Sequence, residues 1–283
     1  MTRPPAVAGL FYEGDAQALS RTVAGLLEAA RGPRPPVPAR RFRALLLPHA
    51  GYVYSGAVAA AGFAAVEWPR TVLFLGPNHT GQGRPLALSP SAAWRTPVGD
   101  LPRSERLSRL LAEEASGLDQ DARAHDGEHS IEVMLPFLLS VRPDAEIACV
   151  SVAEPRLEPL RSLGRSVARA VSRFEEETGG RVAVVVSSDM SHFLSKKENG
   201  ERDRRALEAL LAGSPDELYA RVVVRERISM CGVLPATVLL EALAHLSPTA
   251  GTLLRHSDSA DAGADPRRVV GYAAVLWTEP EVS

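Results

Sequence analysis

Seven histidines and two cysteines are the strongest metal-ligating and nucleophilic groups in this 283-residue chain. Several of them directly follow short apolar runs. Residues 43–48 (RALLLP) run into His49, residues 71–76 (TVLFLG) into Pro77-Asn78-His79, and residues 181–187 (RVAVVVS) into Ser188-Asp189-Met190-Ser191-His192. Ligands of open α/β sheets bind beyond the carboxyl ends of strands, so this spacing predicts imidazoles and a carboxylate converging on one sheet edge. A further contribution is Ser229-Met230-Cys231-Gly232, ahead of a helical stretch. The partial positive charge of a helix N-terminus favours the thiolate, the metal-binding form of cysteine. Two imidazoles plus one anionic donor, with coordination positions left open, is the ligand set of mononuclear iron(II) enzymes. His49, His79 and Cys231 would make its thiolate version, with His192, assisted by Asp189, as an acid–base group. Taken singly, each residue has an ordinary role: a hydrogen-bonded strand-end histidine, a small buried thiol, a turn-forming aspartate. Their joint placement carries the reading.

A competing pattern lies at His125-Asp126-Gly127-Glu128-His129, which matches the H-x-x-E-H arrangement of inverted zinc peptidases. That chemistry needs both histidines on one helical face. Here Gly127 interrupts the segment, and Ser130 reads as a cap opening a helix after His129, which leaves the two histidines astride a loop. His129 and Glu132 are then expected to shape the pocket. No G-x-S-x-G elbow, Walker-type loop or G-x-G-x-x-G fingerprint occurs, which removes the main support for serine hydrolase, nucleotide triphosphatase and dinucleotide-binding readings.

The elements that must position these residues are short, β-branched strands buried on both faces, at residues 43–48, 71–76, 146–152, 181–187 and 269–277, with weaker candidates at 85–89 and 251–256. Helix-period stretches lie between them at residues 15–30, 55–66, 103–115, 130–140, 159–178, 201–211 and 232–246. Strands alternating with helices predict an α/β layered sandwich with a central mixed, largely parallel sheet flanked by helices, formed as a single domain over residues 1–283. Ser55 is the expected cap of the second helix, and the Pro-rich residues 31–41 read as a surface connection. With 32 basic against 34 acidic residues the formal charge is -2, without the basic excess of a nucleic-acid binder. The N-terminus lacks the apolar core of an export signal, and the longest uncharged apolar stretch, residues 57–66, is far short of the ~20 residues of a membrane span. A cytoplasmic protein with neither nucleic-acid nor membrane partners is expected.

Seven segments of the chain resemble the Memo family, also called AmmeMemoRadiSam system protein B. They are residues 3–12 (RPPAVAGLFY), 48–56 (PHAGYVYSG), 76–79 (GPNH), 128–132 (EHSIE), 188–192 (SDMSH), 231–232 (CG) and 270–273 (VGYA). Spread over essentially the whole chain in one order, they are far more specific than any single motif. The resemblance implies a fold like that of class III extradiol (LigB-type) dioxygenases, with a mononuclear non-haem metal at a sheet edge held by His49, His79 and Cys231. Asp189 and His192 would be the catalytic groups, and Tyr52, Tyr54, Asn78 and His129 would contact substrate. Iron is the implied ion, with copper or zinc as alternatives, and a dioxygenase-like oxidoreductase the implied activity. A cysteine standing for the dioxygenase carboxylate argues against extradiol ring cleavage itself. A radical S-adenosylmethionine protein and an AMMECR-type protein are the implied partners, a non-catalytic peptide-binding module is the alternative, and Glu13 departs from the family's usual proline.

Overall fold

The computed structural model describes residues 1–33 and 35–281. Of the Pro-rich connection, Arg34 lies outside the described residues. The strands are β1 (Thr2–Arg3), β2 (Phe42–Leu47), β3 (Thr71–Pro77), β4 (Leu86–Leu88), β5 (Ala93–Thr96), β6 (Gly99–Pro102), β7 (Asp119–Gln120), β8 (Glu146–Val152), β9 (Val182–Ser187), β10 (His192–Leu194), β11 (Ala250–Asp258) and β12 (Val269–Thr278). The helices are α1 (Ala16–Ala30), α2 (Tyr52–Ala64), α3 (Glu105–Glu114), α4 (Leu135–Val141), α5 (Leu157–Thr178), α6 (Lys196–Leu211), α7 (Pro215–Tyr219) and α8 (Val233–His245).

The large sheet runs β10-β12-β2-β9-β3-β8-β4-β7, with β11 added on β12. Its centre, β2-β9-β3-β8, is parallel, while β12 and β4 pair antiparallel on either side of it. This is the mixed, largely parallel sheet that the strand pattern predicts. Successive side chains of a strand point to opposite faces, and the central strands divide accordingly. Ala44, Leu46, Leu73, Leu75, Val184 and Val186 pack against α3 and α5 to α8, whereas Leu45, Leu47, Val72, Phe74, Ala183 and Val185 pack against α1, α2 and α4. Each such side chain withdrawn from water contributes roughly 1.5–3 kcal/mol for the larger residues. Among the described residues no helix is long and apolar enough to cross a membrane.

Three local differences from the sequence expectations have clear causes. Helix α2 begins at Tyr52 with Gly51 as its cap, and the Ser55 hydroxyl donates back to the Ala50 carbonyl at 2.8 Å in place of capping. Residues 130–140 are not one helix. A 3-10 turn at Glu132–Met134 precedes α4, and Ser130 is held by Pro77 and Glu128 rather than capping. Strands β1, β5 and β6 form a separate small sheet of two- to four-residue strands, too short for a hydrophobic period to reveal.

Helices α5 and α8 meet across Gly164, where an added Cβ would lie 2.6 Å from Glu241 Cβ and 2.7 Å from the Val238 carbonyl oxygen. Gly25 on α1 is exposed, with open space around its missing Cβ. Overpacking costs about 1–3 kcal/mol, whereas removing glycine from an exposed helix gains about 0.5–1 kcal/mol. Gly164→Ala is therefore expected to lower the midpoint of thermal unfolding by several degrees and Gly25→Ala to raise it slightly. Equal shifts for the two variants would show that the helix seam is not close-packed at Gly164.

Candidate metal centre

The parallel strands β2, β9 and β3 end at one edge and deliver His49, Asp189 and His79 there. The loop after β9 is pinned along its whole length. The amides of residues 188 to 192 donate in turn to the Leu47 carbonyl, Cys231 Sγ, the Gly271 carbonyl, Asp203 Oδ1 and Ser229 Oγ, at 2.8 to 3.1 Å. Close approach demands glycine at two of the neighbouring positions. A Cβ at Gly271 would sit 1.8 Å from Asp203 Oδ2, and one at Gly232 would sit 2.4 Å from the Ser187 carbonyl oxygen. Four separate segments, β2, α6, residues 229–231 and β12, thus fix one loop, the kind of support a preorganised site requires.

His49, His79 and His129 each offer a ring nitrogen, and these three nitrogens lie within 4.8 Å of one another. Hydrogen bonding determines which nitrogen is free on two of the rings. Ser187 Oγ donates to the Ser130 carbonyl, so it accepts from His49 Nδ1 at 2.6 Å and leaves Nε2 of His49 with its lone pair. Burial first, then the neighbouring His129 and His79, push the His49 pKa well below its usual value and keep the ring neutral. Glu128 is buried, which by itself would raise its pKa. Hydrogen bonds and charge from His79, with the Ser130 amide, bring it down to about 2. As a carboxylate it accepts from His79 Nδ1 at 2.9 Å, and also from the amides of His79, His129 and Ser130. The lone pair of His79 is therefore also on Nε2. Burial opposes protonation of His79, but Glu128 and Asp189 prevail and raise its pKa, whereas burial and His79 lower that of His129.

Cys231 lies beside this group, its Sγ 3.3 Å from His49 Nε2. The expectation that the start of α8 favours a thiolate is reversed. Burial, reinforced by the Asp189 charge, pushes the thiol far up, so its ionisation requires a positive charge alongside. Asp189 accepts the His49 amide at 2.8 Å. Burial raises its carboxyl to about 6, against the pull of the His49 and Ala50 amides and of His192 and His79. His192 Nδ1 faces the Ser229 carbonyl at 2.8 Å, and since a carbonyl only accepts, Nδ1 carries the proton and Nε2 is the basic nitrogen.

A cavity of about 420 Å³ opens over these groups, lined by His49, His79, His129, Asp189 and His192 together with Phe11, Tyr54 and Tyr272. Phe11 packs on the His129 ring at 4.8 Å between centroids. Of the residues expected to contact substrate, Tyr54 and His129 line this cavity, and His129 also stands in the imidazole group. Tyr52 points into the core and donates to the Val133 carbonyl. Asn78 organises its own loop, accepting from the Thr80 and Gly81 amides and donating to the Gln82 carbonyl. His125 is buried against the Ala87 carbonyl, away from the cavity lining, so the peptidase arrangement is absent. The sequence reading passed over Glu128 and Ser187 as supporting groups. The one signal for them was a polar residue directly beside a candidate histidine or at the end of an apolar strand.

Comparison with known proteins agrees with this architecture. A family profile described as Memo-like protein matches residues 3–276. Similar chains include MEMO1 family proteins of Desulfurococcus amylolyticus, 36% identical over 97% of this chain and 98% of that one. Those of Aquifex aeolicus, 34% identical over 97% and 98%, and of Thermotoga maritima, 34% over 98% and 99%, are comparable. The crystal structure of uncharacterized protein JW3007 from Escherichia coli K12 superposes with a TM-score of 0.53 at 15% identity, covering 83% of this chain and 99% of that one, a likeness of fold. With its family segments in place around the three imidazoles, the chain belongs to the Memo-like protein family.

Proposed function

We propose that the cavity is a mononuclear metal centre and that the protein is a non-haem iron-dependent oxidoreductase with a dioxygenase-like site. The observation that carries this reading is the pair of imidazoles whose Nδ1–H groups are committed to Ser187 and Glu128. Both rings thus keep an unprotonated Nε2, that of His49 facing the Cys231 sulfur, in a group with a third histidine. His49 and His79 would hold the ion, with Cys231 completing the set and His129 alongside. Imidazole and thiolate donors fit iron, and they fit copper or zinc as well. Bound iron would supply Lewis acidity and one-electron redox chemistry.

The protein's own groups account for the rest. Ser187 and Glu128 orient the ligand rings, as outer hydrogen-bond partners of metal-bound histidines do. Asp189 fixes the backbone of His49. His192, with its proton on Nδ1, presents Nε2 as a proton acceptor or donor at the cavity wall. Phe11, Tyr54 and Tyr272 form the apolar side that would take a small organic substrate or the end of a peptide. The radical S-adenosylmethionine and AMMECR-type partners, and a cytoplasmic location, belong to the same proposal on the family resemblance. A non-catalytic binding module is the second reading. It draws on Leu10, Val53 and Phe193, which are exposed and adjacent in sequence to the cavity-lining Phe11, Tyr54 and His192.

Metal analysis of anaerobically purified protein is expected to find about one iron per chain in the wild type and little in His49→Ala and Cys231→Ala. Undiminished iron in both variants would remove this ligand set. Ser187→Ala, which takes away the acceptor of His49 Nδ1–H together with the hydroxyl's own bond to the Ser130 carbonyl, is expected to weaken zinc binding by about 10–100-fold in a chelator competition. Unchanged affinity would mean that the His49 ring is oriented by other contacts. Retention of a peptide or protein partner at full strength in the presence of chelator would favour the binding module.

A further inference from the structure

Strand β10 pairs irregularly with the start of β12. His192 lies opposite Val270 and Leu194 opposite Val269, so Phe193 is the extra residue of a bulge. Its φ of 63° is left-handed, a conformation that bulges usually assign to glycine and that a bulky side chain strongly disfavours. Bulges re-aim their neighbours. Here the preceding residue, His192, joins the cavity wall, while Phe193 is turned outward and is 59% exposed. Strained backbone persists only where the surroundings over-determine it. The Arg268 guanidinium covers the Phe193 ring, 4.7 Å from its centroid, and the His192 ring meets it at 5.6 Å. Arg268 ends a segment already tied to this corner, since the Lys196 amide donates to the Pro266 carbonyl and Lys196 Nζ pairs with Asp258 and Asp261. The same segment supplies Ser259 and Ala264 to the cavity wall.

We propose that Arg268 and Phe193 form a clasp that holds the bulge in its left-handed form and so positions His192, which makes two hydrogen bonds to Ser229. Phe193 and Arg268 are positioning residues, acting through His192 on the proton transfers assigned to it above. The inference rests on that assignment. Geometrically, the clasp exchanges an unfavourable backbone at one residue for a ring nitrogen held at the wall, and it links His192 to the segment that closes the other side of the cavity.

The test is solvent exchange of the His192 Nδ1–H, followed by NMR on protein carrying 15N-labelled histidine and assigned by comparison with His192→Gln, in chelator-treated and zinc-loaded samples. Arg268→Ala and Phe193→Ala leave the extra residue in the strand but remove the clasp, and each is expected to speed exchange at least tenfold. Phe193→Gly adopts the left-handed form without strain, and is expected to stay within about threefold of wild type, with Arg268→Ala adding nothing in that background. Exchange unchanged in Arg268→Ala or in Phe193→Ala would overturn the proposal. So would a Phe193→Gly variant as fast as Phe193→Ala, since the aromatic would then act only by packing. A failure of the metal reading shows separately, as absence of zinc binding, and leaves the exchange in chelator-treated protein measurable.

Discussion

A carboxylate held ionised inside the protein is the constraint on which the site depends. Glu128 is buried, and a charged group in that position is costly unless its lone pairs are matched by donors. Four donors meet it, from the ring and amide of His79 and the amides of His129 and Ser130. These bonds join the loop after β3 to the segment entering α4, two regions some fifty residues apart in sequence. They fix the position of His79, its tautomer and the backbone of His129 together. Replacing such a carboxylate would release several elements at once, so stability and site geometry are the same property here.

The sheet makes this possible by geometry rather than by affinity. Three adjacent parallel strands end in register, so the residues just beyond them reach a common edge without any long connection. What the strands cannot do is set ring orientation. That falls to hydroxyl, carboxylate and carbonyl partners on neighbouring segments: Ser187 for His49, Glu128 for His79, Ser229 for His192. All three rings direct Nδ1–H outward into protein and keep Nε2 as the basic nitrogen. That shared choice of tautomer leaves the same nitrogen unprotonated on each ring.

The sequence revealed the strands and the residues at their ends because burial on both faces leaves continuous apolar runs, and the polar residues just past each run are by construction at an edge. The β8 limits were readable to the residue, and those of β2, β3, β9 and β12 nearly so. Partners contributed by distant segments were not legible. Asp203, which holds the Ser191 amide, sits in the charged run of α6, where nothing distinguishes it from solvent-facing neighbours until Gly271 packs against it. Phe193 likewise reads as an ordinary strand residue, because a bulge depends on pairing register and pairing register is not local. Tyr52 and Tyr54 show the limit from the other side. Two residues apart near the start of a helix they fall on different faces, and only one of them reaches the cavity.

The N-terminal arm extends the same logic to the mouth of the cavity. Arg3 and Glu132 form a fully buried ion pair at 2.7 Å, and Glu132 also accepts the Ala6 and Val7 amides and the Tyr12 hydroxyl. The N-terminal segment is thereby tied to the core at Arg3, Ala6, Val7 and Tyr12, with Arg3 also lying over the Trp94 ring at 4.2 Å. The consequence for the site lies at Phe11, whose ring packs on His129 and whose carbonyl accepts the Tyr52 amide at the start of α2. Breaking a buried pair by removing one partner costs about 3–5 kcal/mol. The arm is therefore anchored on both sides of Phe11's approach to the cavity, at Arg3 to Val7 and at Tyr12, so the apolar wall it supplies is part of the folded structure rather than a flap laid over it.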